Sequence, residues 1–177
     1  MHTGQILFTM GALALLSLAI LNLNRSINEN DVGLAQNRYR LEALSLITSY
    51  IDQASALYFD EVTTDTTQAK DLSPISHILQ SEANDSGRFD DFDDFNNYTK
   101  IDSGLSGVLY PVMFKVEYVQ LHGDSLKLSA NREWHKLMTI SVTDNYVGEP
   151  LLYRNFGSEK IRDTLTVQYL NSYWFYN

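Results

Sequence analysis

The sequence contains no cysteine and only three prolines among its 177 residues. The absence of cysteine excludes disulfide bonds, thiolate metal sites and cysteine nucleophiles. Basic residues are also scarce, because 13 lysines and arginines stand against 22 acidic residues and give a net charge of −9 at pH 7. Without a surplus of basic side chains to contact phosphates, nucleic acid is not an expected partner.

Catalytic motifs are missing as well. The four histidines do not have the spacing of paired metal ligands. A P-loop, a nucleophile elbow and a dinucleotide-binding glycine motif do not occur. We therefore expect that the protein is not an enzyme.

The longest hydrophobic run is Ile6–Leu23, and no charged residue precedes Arg25. As a helix, these residues would measure about 27 Å, close to the hydrocarbon thickness of a bilayer. A secretion signal usually has basic residues before a shorter run and a small-x-small cleavage site after it. Neither is present, so we favour a retained helix over a cleaved signal.

Small residues interrupt the large side chains of this run, and small residues let neighbouring helices approach closely. Two uses of the run stay open: a membrane anchor, and a helix that packs against copies of itself. The residues that we expect to make helix–helix contacts are Ile6, Phe8, Gly11, Ala12, Leu15, Leu16, Ala19 and Ile20.

The pattern beyond the run predicts an α+β head at residues 34–177, with an N-terminal segment at 1–33. Capping residues at 28–31 and Gly33 leave two alternatives open, a helix that breaks near residues 22–33 and one that continues without a break. Residues 34–58 are predicted to form an amphipathic helix. Its apolar stripe is expected to contain Leu34, Leu41, Leu44, Ile47, Ile51, Ala54 and Leu57, with Glu42 off the stripe.

Residues 108–177 are predicted to form an antiparallel sheet of three or four strands that packs on the helix. Alternating apolar residues indicate strands at 112–119, 134–143 and 161–170. The aromatic tail at 173–176 is expected to pack on the head. Residues 60–107 are predicted to be an irregular, acidic loop.

Within that loop, aromatic residues recur at every third position: Phe89, Phe92, Phe95 and Tyr98. This spacing predicts a turn-rich segment that is held by its aromatic side chains, with its carboxylates in water. A calcium site is the alternative, and it is compatible with the first interpretation because hard cations prefer several oxygen ligands. The candidate ligands are Asp90, Asp91, Asp93, Asp94 and Asn96.

Three short motifs carry a resemblance to known proteins: Thr3–Gln5 ahead of the apolar run, Asp91–Asn96 (DFDDFN), and Trp134–Lys136. With this architecture, the chain resembles the type IV pilin superfamily, and among it a group of uncharacterised bacterial pilin-like proteins with the same motifs. The resemblance implies processing between Gly4 and Gln5, although Thr9 stands where such subunits usually carry glutamate.

The resemblance also implies a function. We expect a structural subunit of an extracellular filament at the cell surface, a helical homo-oligomer that is held in the inner membrane before the pilus assembly machinery polymerises it. The alternative is a bitopic, pseudopilin-like or surface protein that forms no long fibres. No cofactor other than calcium is suggested.

Overall fold

One long helix, α1, runs from Thr3 to Ser55 and is followed by seven β-strands in the part of the chain that the structure describes. The structure is a computed structural model, and it describes residues 3–63, 68–81, 88–157 and 159–173. The chain divides into two compact units, residues 1–38 and residues 39–177. The α+β class that the sequence predicts is confirmed.

Helix α1 continues without a break through residues 22–33, which decides between the two alternatives that the capping residues and Gly33 left open. A glycine inside a helix costs only about 1 kcal/mol relative to alanine. Arg25 and Glu29 form an i,i+4 ion pair of 2.8 Å in this stretch, which adds a small local stabilisation. Local break signals were therefore too weak to interrupt the helix.

The strands form an antiparallel sheet and a separate hairpin. The large sheet has the order β1-β2-β4-β7, and β3 pairs with the last residues of β2. The hairpin consists of β5 and β6. The bounds are β1 Thr99–Ser103, β2 Leu109–His122, β3 Ser125–Leu128, β4 His135–Val142, β5 Tyr153–Phe156, β6 Glu159–Arg162 and β7 Leu165–Ser172.

The core of the head lies between the C-terminal turns of α1 and the central strands. Phe114 on β2 pairs with Ile140 on β4, which pairs in turn with Val167 on β7. Helix residues Ala43, Ile47, Tyr50 and Ala54 belong to the same buried cluster. Their spacing of four, three and four residues is that of one helix face.

The predicted helix stripe is therefore only partly correct. Ile47 and Ala54 are buried, but Leu34, Leu41 and Leu44 are exposed. The face that packs on the sheet uses alanine and tyrosine where the prediction relied on leucine. The helix also ends at Ser55 rather than at residue 58.

Glu42 is buried, although the sequence pattern placed it off the apolar stripe. Its Oε2 accepts hydrogen bonds from the hydroxyls of Ser106 (2.5 Å) and Tyr110 (3.3 Å). Glycine at position 104 leaves room for these hydrogen bonds, because a Cβ there would lie 2.6 Å from Glu42 Oε2 and 2.7 Å from the Tyr110 ring. Hydrogen bonds from Ser106 in the β1–β2 connection and from Tyr110 on β2 thus compensate the burial of the carboxylate.

The structure contains strands where none was predicted, and one predicted strand corresponds to two separate strands. The sheet has five strands rather than three or four, and β1 lies inside the predicted irregular loop. β1 is short and largely exposed, so it carries no hydrophobic pattern and depends on its pairing with β2. The predicted strand 161–170 is divided between β6 and β7, because Asp163 donates its N–H to Leu152 O between them.

Of the aromatic tail that was predicted to pack on the head, the structure describes only Tyr173. Its ring stacks on Trp134 with a centroid separation of 5.6 Å. Residues 174–177 lie outside the described residues.

Substitution Ile47→Ala tests which face of α1 packs on the sheet. Ile47 is 1% exposed, so its truncation should lower the free energy of unfolding of the head by about 2–5 kcal/mol. The matched control is Leu41→Ala on the same helix, because Leu41 is 66% exposed and should lose less than about 1 kcal/mol. Denaturant unfolding of the full chain in detergent measures both, and equal losses would contradict this assignment of the buried face.

Candidate functional site

The first candidate surface is the N-terminal part of α1. Its large apolar side chains are exposed along the whole run, as Phe8 (80%), Leu15 (69%) and Leu16 (57%) illustrate. Its best 18-residue window has a mean hydropathy of 2.2, so the helix is long and apolar enough to cross a membrane. Water is an unfavourable environment for such a surface.

All eight residues that were predicted to make helix–helix contacts lie on this exposed surface. The space around Gly11 is open, because a Cβ at this position would meet nothing within 4 Å. Gly4 and Gln5, the residues of the predicted processing site, are exposed in the first turns of α1. Processing between them stays a prediction.

The two hydroxyl side chains of the run have partners inside the helix. Thr9 Oγ1 donates to Ile6 O and Ser17 Oγ donates to Leu13 O, each at 2.9 Å. A hydroxyl that is already satisfied by the backbone costs little to transfer into lipid or into a protein interface. The hydroxyl groups of Thr9 and Ser17 therefore do not oppose burial.

The second candidate site is the acidic segment 89–98. Its predicted aromatic anchors are confirmed: Phe92 and Phe95 are buried, and Phe89 contacts Phe95 and Tyr98 in edge-to-face geometry. The segment bends through a 3₁₀ turn at Asp93–Phe95 before it enters β1. Aromatic packing thus fixes its position beside β2.

The expectation that the carboxylates of this segment face water is wrong for three of them. Asp91, Asp93 and Asp94 are at most 2% exposed, whereas Asp90 is exposed. The cause is the tight turn, which directs carboxylates at its own N–H groups. Asp91 Oδ1 accepts from the N–H groups of Asp93 (3.0 Å) and Asp94 (3.2 Å), and Asp94 Oδ2 accepts from that of Asp90 (2.9 Å).

The fifth calcium candidate, Asn96, has a structural task. Its amide nitrogen donates to Leu79 O at 2.7 Å, and its amide oxygen accepts from Val116 N–H at 2.9 Å. No group of three or more acidic or histidine side chains among the described residues is arranged to hold a metal ion. Calcium binding stays a prediction from the sequence.

Lys136 is the residue that the sequence analysis missed. Its side chain is fully buried, and its amine contacts Asp93 Oδ1, Asp60 Oδ2 (3.0 Å) and Phe59 O (2.6 Å). The rings of Phe59 and Tyr118 also flank the amine, with centroids 4.5 and 5.7 Å away. A signal was present in the sequence, because Lys136 occupies the face of β4 that Met138, Ile140 and Val142 point to.

Negative charge exceeds positive charge in this buried cluster, which we define as Asp60, Asp91, Asp93, Asp94 and Lys136. The pKa of Asp91 is raised to about 8, first by burial and then by the charge of Asp93, whereas Lys136 opposes the shift. Burial also raises the pKa of Asp93, against the opposing effect of Lys136. Asp91 is therefore largely protonated at neutral pH.

The fold and its surfaces define an α+β protein with one membrane-capable helix and a head with a buried charge cluster. No protein-family model, no curated protein and no solved structure matches the chain. The long N-terminal apolar helix with an antiparallel sheet is compatible with a pilin-like fold.

The raised pKa of Asp91 predicts the direction of a pH effect on stability. The folded state holds a proton on Asp91 that the unfolded state releases near its ordinary value of 3.8, so this contribution is fully present below about pH 4. It is lost as pH rises toward 8, by at most about 1.4 kcal/mol per pH unit.

Substitution Asp91→Asn mimics the protonated carboxyl and should flatten this slope. The free energy of unfolding of the full chain, measured by denaturant titration at several pH values from about 5 to 8, reports the effect. Asp90→Asn in the same segment is the control, because Asp90 is exposed. The same slope in the wild type and in the Asp91 variant would show that Asp91 is ionised throughout.

Proposed function

We propose that this chain is a structural subunit of an extracellular, pilin-like filament that polymerises through Ile6–Leu23. The membrane would hold the subunits before assembly, and the filament core would then replace lipid with the apolar helices of neighbouring subunits. Assembly machinery at the inner membrane and a final position at the cell surface are parts of this proposal.

The observation that carries the proposal is the uncovered apolar surface of the N-terminal run. Burial of about 1,500 Å² of such surface at about 25 cal/mol per Å² corresponds to tens of kcal/mol before the entropy of association is subtracted. Either a bilayer or a bundle of identical helices supplies this burial. Contacts of a head-to-tail kind that do not close into a ring produce an open helical filament.

Small residues within the run favour the bundle over a simple anchor. Lipid chains adapt to any apolar surface, whereas a protein neighbour packs closely only where side chains are small. Gly11, Ala12 and Ala19 provide such places, and all three are exposed in the single chain.

The head also presents apolar side chains that suit contacts between subunits. Leu109, Tyr146 and Val147 are exposed around a groove of about 520 Å³ between residues 106–109 and 145–148. Leu105 is exposed in the same β1–β2 connection. In a filament, contacts at this groove would supplement the helix core.

The alternative is a bitopic protein that stays anchored by α1 and forms no long fibres. Its supporting observation is the length and hydropathy of the helix, which satisfy the needs of a single membrane span. Electron microscopy of material sheared from cells separates the two functions. Fibres that contain this chain support the filament, and mass spectrometry of the same fibres identifies Met1 or Gln5 as the first residue.

Substitution Gly11→Leu tests close helix packing directly. A Cβ at position 11 meets nothing within 4 Å in the single chain and leucine is apolar, so folding and membrane insertion should be unaffected. We expect fibres to be lost, because the larger side chain blocks the approach of a neighbouring helix. Electron microscopy of sheared material and membrane fractionation measure the two effects.

Gly11→Ala is the matched control, since one methyl group should reduce the number of fibres only slightly. Normal fibres from the Gly11→Leu variant would contradict close packing at this position. Absence of fibres in the wild type, with the chain in the membrane fraction, would favour the anchored protein.

A further inference from the structure

The Lys136 amine lies close enough to a carboxyl group for a covalent reaction as well as an ion pair. Lys136 and Asp93 are each 0% exposed, and the amine contacts Asp93 Oδ1 directly. Lys136 on β4 and Asp93 on the 3₁₀ turn are 43 positions apart in the sequence. The fold nevertheless places the nucleophilic amine nitrogen of Lys136 in contact with an oxygen of the Asp93 carboxyl group. Groups held in this way react with effective concentrations that reach about 10⁵–10⁸ M.

The surroundings of the pair combine aromatic rings with polar groups, because the amine also contacts Asp60 Oδ2 (3.0 Å) and Phe59 O (2.6 Å). The Phe59 and Tyr118 rings flank the amine, and the Tyr118 hydroxyl is directed away to Ser76 O at 2.6 Å. Burial raises the pKa of Asp93, against the opposing effect of Lys136, and so favours its neutral acid form. The neutral amine and the neutral acid are the forms that condense to an amide.

The carboxyl group of Asp91 is a second buried carboxyl, and it is able to donate and accept a proton in this reaction. Asp91 is 1% exposed, and Oδ2 of Asp91 and Oδ2 of Asp93 have no hydrogen-bond partner among the described residues. Asp91 is tied to the reacting turn, because its Oδ1 accepts the N–H of Asp93. Its pKa of about 8 means that it carries a proton at neutral pH and is able to exchange it.

We propose that Lys136 and Asp93 form an intramolecular isopeptide bond within the folded head, with Asp91 as the proton carrier. The observation behind this proposal is a fully buried lysine amine in contact with a fully buried aspartate, beside a second buried carboxyl, that of Asp91, whose Oδ2 accepts no hydrogen bond among the described residues. It does not depend on filament formation.

The reaction balances without an oxidant or another reactant. A proton first passes from the Lys136 ammonium to the Asp93 carboxylate, which leaves both groups neutral. The nitrogen lone pair then attacks Asp93 Cγ, and Asp91 gives its proton to the carboxyl oxygen that becomes the leaving group. The Cγ–O bond breaks, the nitrogen returns a proton to Asp91, and one water molecule is released.

The remaining charges of the cluster tolerate the loss of the ammonium. Asp60 keeps hydrogen bonds from the backbone N–H (3.1 Å) and the hydroxyl (3.3 Å) of Ser76. The opposing effects of Asp93 and Lys136 on the pKa of Asp91 would disappear together, and burial, the largest cause, would stay. The pH effect described above therefore keeps its direction.

The test uses the full chain, purified in detergent and then denatured. We expect an intact mass lower by one water molecule than the sequence requires. Trypsin does not cleave after an acylated lysine, so the digest should contain peptide 133–154 joined to peptide 89–100. These internal peptides report the bond whether or not Gly4–Gln5 is cut.

Variants separate the proposed bond from its alternatives. Lys136→Arg retains the positive charge and should have the full mass, and Asp93→Asn should lose ammonia rather than water. Asp91→Asn should form the bond at least tenfold more slowly than the wild type, because the proton carrier is gone. A cross-link at an unchanged rate in the Asp91 variant would overturn that role.

The wild-type digest decides the proposal without any variant. Separate linear peptides 89–100, 133–136 and 137–154 at the full mass would overturn it. Peptide 133–154 joined to peptide 41–70 would also overturn it, because the bond would then involve Asp60 instead of Asp93.

Discussion

The contact on which the rest of the head depends is the one between Lys136 and the buried aspartates around it. It joins three parts of the chain that are distant in sequence: the residues after α1, the 3₁₀ turn and strand β4. Removal of one member of a buried ion pair leaves an uncompensated charge and costs about 3–5 kcal/mol. In a chain without cysteine, this cluster takes the place that a disulfide would have in tying separate segments together.

A second constraint acts on the N-terminal run, and it is of the opposite kind. The ion pairs of the charge cluster form inside the head, whereas the apolar surface of the run is covered only by something outside the chain. The hydroxyl groups of the run donate to carbonyl groups of their own helix, so they need no partner in lipid or in a neighbouring helix. The protein therefore combines a self-sufficient head with a helix that requires lipid or other copies.

Much of the fold was predictable, because its strongest signals are local. The apolar run, strands β2 and β4 and the α+β class follow from hydrophobic periodicity that is visible within a few residues. Strand β1 was not predictable, since it is exposed and becomes a strand by pairing with β2. The face of α1 that is buried was also missed, because the sheet accepts Ala43 and Tyr50 closely and leaves Leu41 in solvent.

The candidate sites divide in the same way. The sequence by itself determined the apolar surface of Ile6–Leu23 and the aromatic spacing of the acidic segment, because both follow from which side chains lie near each other along the chain. The tertiary structure decided that Phe92 packs on Tyr169 and Phe95 on Phe114. Only the tertiary structure decided that Asp91 and Asp93 are buried and that Lys136 reaches them. Burial and the meeting of distant charges depend on how segments pack, and a one-dimensional pattern of polar residues does not contain that information.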